Sequence, residues 1–97
     1  MKNGNTKTKE LMPQISRFFG IIIAMYFDDH NPPHFHAKYG DEEALISIRD
    51  FSVIEGQLSS RALGMVIEWA SLHQDELMSN WKKVIENQSL VKIEPLK

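Results

Sequence analysis

The spacing of the apolar residues changes once along this chain, near Ser59 and Ser60, and that change constrains the fold more than any other feature. Before it, apolar and polar residues alternate. Phe35, Ala37 and Tyr39 fall on one side of His34, His36 and Lys38, and Ala44, Ile46 and Ile48 repeat the pattern within residues 43–49, EALISIR. A period of two belongs to strands with one covered face. After it, Leu63, Val66, Ala70, His73, Leu77, Trp81 and Val84 recur at steps of three and four, and Ala62, Ile67, Trp69 and Ile85 widen the stripe. That is the apolar face of a helix. Strands followed by a helix predict an α+β domain: a small antiparallel β-meander packed against one long C-terminal helix.

The punctuation supports this order. Residues 20–27 (GIIIAMYF) have the β-branched and aromatic composition of a strand buried on both faces, with residues 13–19 leading in as extended chain. Residues 28–33 (DDHNPP) form a stiff turn, because two prolines fix φ and remove two backbone donors. Gly40-Asp41 and Asp50-Phe51-Ser52 are further turns, and residues 53–58 give a fourth strand. Ser59 or Ser60 supplies the helix N-cap, and the polar run His73 to Glu76 is where the helix is weakest. Residues 90–94 (LVKIE), followed by Pro95, read as a short edge strand.

Composition narrows the chemistry. The 97 residues include no cysteine, which excludes a disulfide-stapled scaffold, a thiolate zinc site and a cysteine nucleophile. The net charge of −2 conceals a basic start: Lys2, Lys7 and Lys9 against Glu10 leave residues 11–97 at −4. Such a balance argues against binding duplex DNA through bulk charge. Residues 1–11 read as a disordered extension and residues 12–97 as a single domain. The longest apolar stretch, residues 18–27, falls far short of the roughly 20 residues that span a bilayer, so no membrane association and a cytoplasmic location are expected.

The chemistry then falls to histidine. Three of the four histidines lie in residues 28–36, DDHNPPHFH. On a strand, His34 and His36 project from one face about 6–7 Å apart. That arrangement suits general acid–base work, since imidazole titrates near neutrality, with Asp29 orienting a ring. It also suits two metal ligands on one strand, with His30 or Asp28 as a third, although no second His-x-His pair supports a metal, and it suits a polar strand face with no chemistry. The reading taken forward is metal-independent and without cofactor: His30, His34, His36, Lys38 and Asp29 catalytic, and Arg49 and Arg61 substrate-binding. Lys38 shares the histidine face, and Arg49 or Ser47 is expected on the same side of the next strand. Asp41-Glu42-Glu43 reads as a solvated acidic turn. His73, on the helix stripe, reads as a hydrogen-bonded core residue, and Trp69 and Trp81 as core or partner-interface anchors.

Residues 12–20 (MPQISRFFG), residues 29–36 (DHNPPHFH), residues 61–69 (RALGMVIEW) and the ending Lys92-Ile93-Glu94-Pro95-Leu96 together resemble the bacterial family catalogued as domain of unknown function 4160. The resemblance carries its pattern onto His30, His34, His36, Arg61, Trp69 and His73. Members of the family begin near a Met-Pro like Met12-Pro13, which implies either that the residues before it are an extension or that translation starts at Met12. Genes of this family commonly stand beside a second small domain of unknown function, 2442. The resemblance therefore implies the toxin half of a two-gene toxin–antitoxin module, neutralised by a small cognate partner of that type. RNA cleavage or another attack on translation is the activity expected. A non-catalytic module that binds the neighbouring protein, and a histidine-cluster metal-binding hydrolase, are the alternatives.

Overall fold

In the computed structural model, which describes residues 13–97, five strands precede two helices: β1 (Gln14–Phe18), β2 (Ile21–Ala24), β3 (His34–Tyr39), β4 (Glu42–Ser47), β5 (Val53–Gln57), α1 (Ser60–Leu72) and α2 (Gln74–Ile85). The strands form one antiparallel meander in the order β1-β2-β3-β4-β5. The α+β class and the meander agree with the alternating pattern. The segment expected as an extended lead-in is itself a strand. It pairs with β2 through the two-residue turn Phe19-Gly20, where φ is 49° and 82°. Positive φ at both central residues matches the right-handed twist of the strands that such a turn joins.

Register decides which side chains share a face. His36 pairs with Ala24 on one side and Leu45 on the other, while Lys38 pairs with Ile22 and Glu43. Phe35 and Ala37 point the other way, into a core that includes Ile21, Ile23, Ile46, Val66, Trp69 and Leu77. Gly56 holds β5 against β4: a Cβ there would stand 2.1 Å from the Glu43 carbonyl oxygen, and its φ is 78°. Any larger residue must push the edge strand away.

The helical stripe divides where one long helix was expected. His73 is at once the C-cap of α1 and the N-cap of α2, with φ −131° and ψ 25°. Asp75 and Glu76 sit in the first turn of α2, where carboxylates favour a helix start. Gln74 fastens that start to the β4–β5 turn, its Nε2 donating to the carbonyls of Ile48 at 2.7 Å and Arg49 at 3.1 Å. Ser59 is the N-cap of α1, its hydroxyl accepting from the Ala62 N–H.

Residues 90–94 do not form the expected edge strand. The Ile93 N–H donates to the Ile15 carbonyl at 2.8 Å, but the neighbouring backbone groups are taken by side chains. Asn80 bonds both the carbonyl and the N–H of Val91, at 2.8 and 2.9 Å, and Trp69 Nε1 donates to the Glu94 carbonyl at 2.8 Å. Among the described residues no helix is long and apolar enough to cross a membrane. The proposed extension over residues 1–11 and the start at Met12 lie outside the described residues.

Candidate functional site

The loop from β2 to β3 places a carboxylate over the first residues of β3. Tyr26 and Asp29 close a turn, the Asp29 N–H donating to the Tyr26 carbonyl at 3.0 Å. The Tyr26 N–H donates back to Asp29 Oδ2 at 2.9 Å. That bond leaves Oδ1 free to face β3. The chain then passes a cis Asn31–Pro32 peptide and Pro33, whose carbonyl accepts from the Ile48 N–H at 3.0 Å, and enters the strand at His34.

Asp29 Oδ1 stands 3.2 Å from His36 Nε2 and 3.6 Å from His34 Nε2. The far nitrogens of both rings are held from outside. His34 Nδ1 lies 2.8 Å from the Pro32 carbonyl, which can only accept, so Nδ1 carries a proton. His36 Nδ1 lies 2.9 Å from Glu43 Oε2. The Tyr26 ring meets His36 edge-on at 4.5 Å, and Trp81 backs His34 at 5.2 Å between ring centroids. His34 Nε2 is buried with no hydrogen-bond partner, since 3.6 Å exceeds hydrogen-bond length.

These contacts set the charge states. Burial alone would raise the Asp29 pKa, but the two imidazoles and the Tyr26 amide overcome it and hold the carboxyl well below the usual range. Asp29 raises the pKa of His34 against the effect of burial. For His36, burial lowers the pKa, and Asp29 and Glu43 together reverse that and raise it. The cluster borders an open cleft of about 450 Å³ whose lining includes Asp28, Asp29, His30, Asn31, His34 and Glu55.

Of the residues expected at the site, Asp29, His34 and His36 converge. Their potential ligand atoms all lie within 4.8 Å of one another. His30 lines the cleft but is exposed on the loop, outside that convergence. Lys38 follows His36 on the same face and pairs in register with Glu43. Arg49 is not on the histidine strand's neighbour as expected: β4 ends at Ser47, which pairs with His34, and Arg49 is exposed in the turn beyond. Arg61 is exposed in the first turn of α1.

The site holds one residue that sequence reasoning passed over. Glu43 is no solvated turn residue, because a two-residue turn at Gly40-Asp41 places it on the histidine face, diagonal to His36. Its neighbour Glu42 accepts from the Ser59 N–H at 2.8 Å. Counting back from that turn would have revealed Glu43.

Both tryptophans belong to the core, which removes them as surface anchors for a partner. Trp69 is 0% and Trp81 4% exposed, the first packed on Phe18 and Phe35, the second on His34. His73 is half-buried at the helix junction, packed on Trp69 and bonded to Glu76.

Comparison with known proteins bears on this arrangement. A family described as domain of unknown function, DUF4160, matches residues 20–82, a span that contains Asp29, His34, His36 and Glu43 and ends within α2. The chain belongs to the DUF4160 family. No curated protein and no solved structure matches the chain.

Proposed function

We propose that this DUF4160 protein is the toxin-like half of a bacterial type II toxin–antitoxin pair. It arrests growth by cleaving RNA or otherwise blocking translation, and a small cognate protein of the domain 2442 type neutralises it. The observation that carries this reading is the convergence of Asp29, His34 and His36 beside an open cleft. Two imidazoles and a carboxylate supply what phosphodiester cleavage needs: a group to take a proton from the attacking oxygen and one to return it to the leaving oxygen. A cleft of about 450 Å³ lies within the size range of small-molecule sites. In this reading His30 at its rim and Lys38 on the same sheet face meet the phosphate, and Arg49 and Arg61 contact the chain beyond it.

Induced expression of the chain alone should arrest growth, and co-expression of the neighbouring gene should restore it. Unchanged growth at high expression overturns the proposal.

A second reading, a non-catalytic module that binds its neighbour, has an observation of its own. β5 is an outer strand exposed over all five residues, Val53 and Ile54 included. A bare edge offers unpaired backbone groups to another strand. On this reading, adding the small partner slows hydrogen exchange of the β5 amides. Unchanged exchange in a formed complex excludes pairing there.

A further inference from the structure

We infer that Asp29 Oδ1, His34 Nε2 and His36 Nε2 form a site for one divalent transition-metal ion of zinc-like ligand preference. The histidine spacing alone leaves a metal as one alternative among several; the geometry points to one for four reasons.

The first is spacing. Ligand atoms about 2.0–2.1 Å from a tetrahedral metal lie roughly 3.3 Å from one another. Asp29 Oδ1 lies 3.2 Å from one imidazole nitrogen and 3.6 Å from the other, both close to that value, and the ligand atoms of the three residues all lie within 4.8 Å of one another.

The second is the support behind each ligand. Metal-bound histidines characteristically donate their other N–H to a carboxylate or a backbone carbonyl, which fixes the tautomer and aims the lone pair. Here His34 Nδ1 faces the Pro32 carbonyl at 2.8 Å and His36 Nδ1 faces Glu43 at 2.9 Å. The non-ligating oxygen of Asp29 is held by the Tyr26 N–H at 2.9 Å. All three groups are aimed inward by bonds on their outer sides.

The third is His34 Nε2. The His34 side chain is 7% exposed, and this nitrogen is buried without a partner. A proton bridge satisfies His36, whose Nε2 is within hydrogen-bond reach of Asp29 at 3.2 Å, but it leaves His34 unpaired at 3.6 Å. A buried polar atom left without a partner forfeits its hydration with nothing in return. A cation between the three atoms serves them all at once.

The fourth is the surrounding charge. Asp28 and Glu55 line the same cleft as Asp29 and His34, so its field favours a cation. Asp29 and His34 both border the cleft, which is the side from which a water would complete the coordination, as in catalytic rather than purely structural zinc sites.

This inference shares its residues with the proposed growth-inhibiting centre and changes their role there: imidazoles whose Nε2 atoms hold a metal do not exchange protons through them, and the metal would instead supply an activated water. The test uses full-length protein purified without a metal-affinity tag, stripped with chelator, and titrated with Co²⁺ and then Zn²⁺. One Co²⁺ per chain, with the visible absorption of a low-symmetry site and displacement by Zn²⁺, is expected. His34→Ala and Asp29→Asn should abolish the signal, and Glu43→Gln should weaken binding about 10–100-fold. Circular dichroism checks each variant's fold. If His34→Ala fails to fold, the near-isosteric Asp29→Asn decides. A stoichiometry well below one, or undiminished binding by a folded Asp29→Asn, overturns the site. Growth arrest by a chain that binds no Co²⁺ removes the metal and leaves the activity. Stoichiometric binding without growth arrest does the reverse.

Discussion

His36 and His73 both present Nδ1 to a glutamate, yet the two regions around them are built for different ends. At the helix junction the pairing is local: His73 and Glu76 are three residues apart on one turn, and Glu76 is half-exposed. At the sheet the partners come from separated segments, Asp29 from a loop and Glu43 from the next strand, each seven residues from His36. Each region also has a histidine against a buried tryptophan, His34 on Trp81 and His73 on Trp69. Aromatic backing and one carboxylate are therefore common to both. What distinguishes the sheet cluster is that two imidazole nitrogens and a carboxylate oxygen face one another at close range, and only folding can assemble that.

The largest expected difference is in activity. Replacing His34 and His36 together by Ala should abolish growth arrest, whereas His73→Ala should retain it, as measured by colony counts after induction. Equal loss in a folded His73→Ala protein would erase the distinction between the two regions.

Next comes stability. Trp69→Ala and Trp81→Ala each remove a buried indole, at a cost of about 3–5 kcal/mol in urea denaturation. Trp81→Ala should in addition alter the His34 imidazole signals in an NMR pH titration, and Trp69→Ala should leave them unchanged.

The pH dependence of the metal-free protein is smaller and has a defined sign. Asp29 has a lowered pKa in the fold, so its contribution is present above the ordinary carboxylate range and is lost as pH falls through the depressed value. His34 and His36 have raised values, so their contribution is complete below the ordinary histidine pKa and fades as pH rises through the folded values. Denaturation in chelator should show the domain weakening as pH is raised above neutrality, and Asp29→Asn should flatten that slope. A slope unchanged in Asp29→Asn would mean that other groups set it.

The smallest effect belongs to Glu76→Gln. A pair three residues apart at a helix start, with the carboxylate half-exposed, contributes about 0.5 kcal/mol, and denaturation midpoints should barely move. A large shift would show that the junction is more than a local cap.

Much of the scaffold is readable from local pattern. Alternation identifies the faces of β3 and β4, and Gly40-Asp41 marks their hairpin. The change of spacing at Ser59 and Ser60 marks the first helix, and Ser59 does cap it. The break at His73 is harder to read because the apolar stripe runs on through it. It is Gln74, bonded to carbonyls some 25 residues earlier, that sets the start of the second helix. Residues 90–94 look like a strand for a similar reason: their composition suits one, but Asn80 and Trp69 take the backbone groups that a ladder would use.

Sequence alone determined that His34 and His36 share a face, since a strand's period of two is a property of the backbone. It also determined that, without cysteine, no thiolate is available, so protein metal ligands must be sought among imidazoles and carboxylates. Tertiary structure decided the rest. It brought Asp29 to both rings, made Glu43 a partner of His36, sank both tryptophans into the core, and left Arg49 exposed in the β4–β5 turn and Arg61 exposed in the first turn of α1. The physical reason is that local pattern specifies the direction of a side chain, whereas its distance from a group on another segment depends on turn geometry, strand register and packing together.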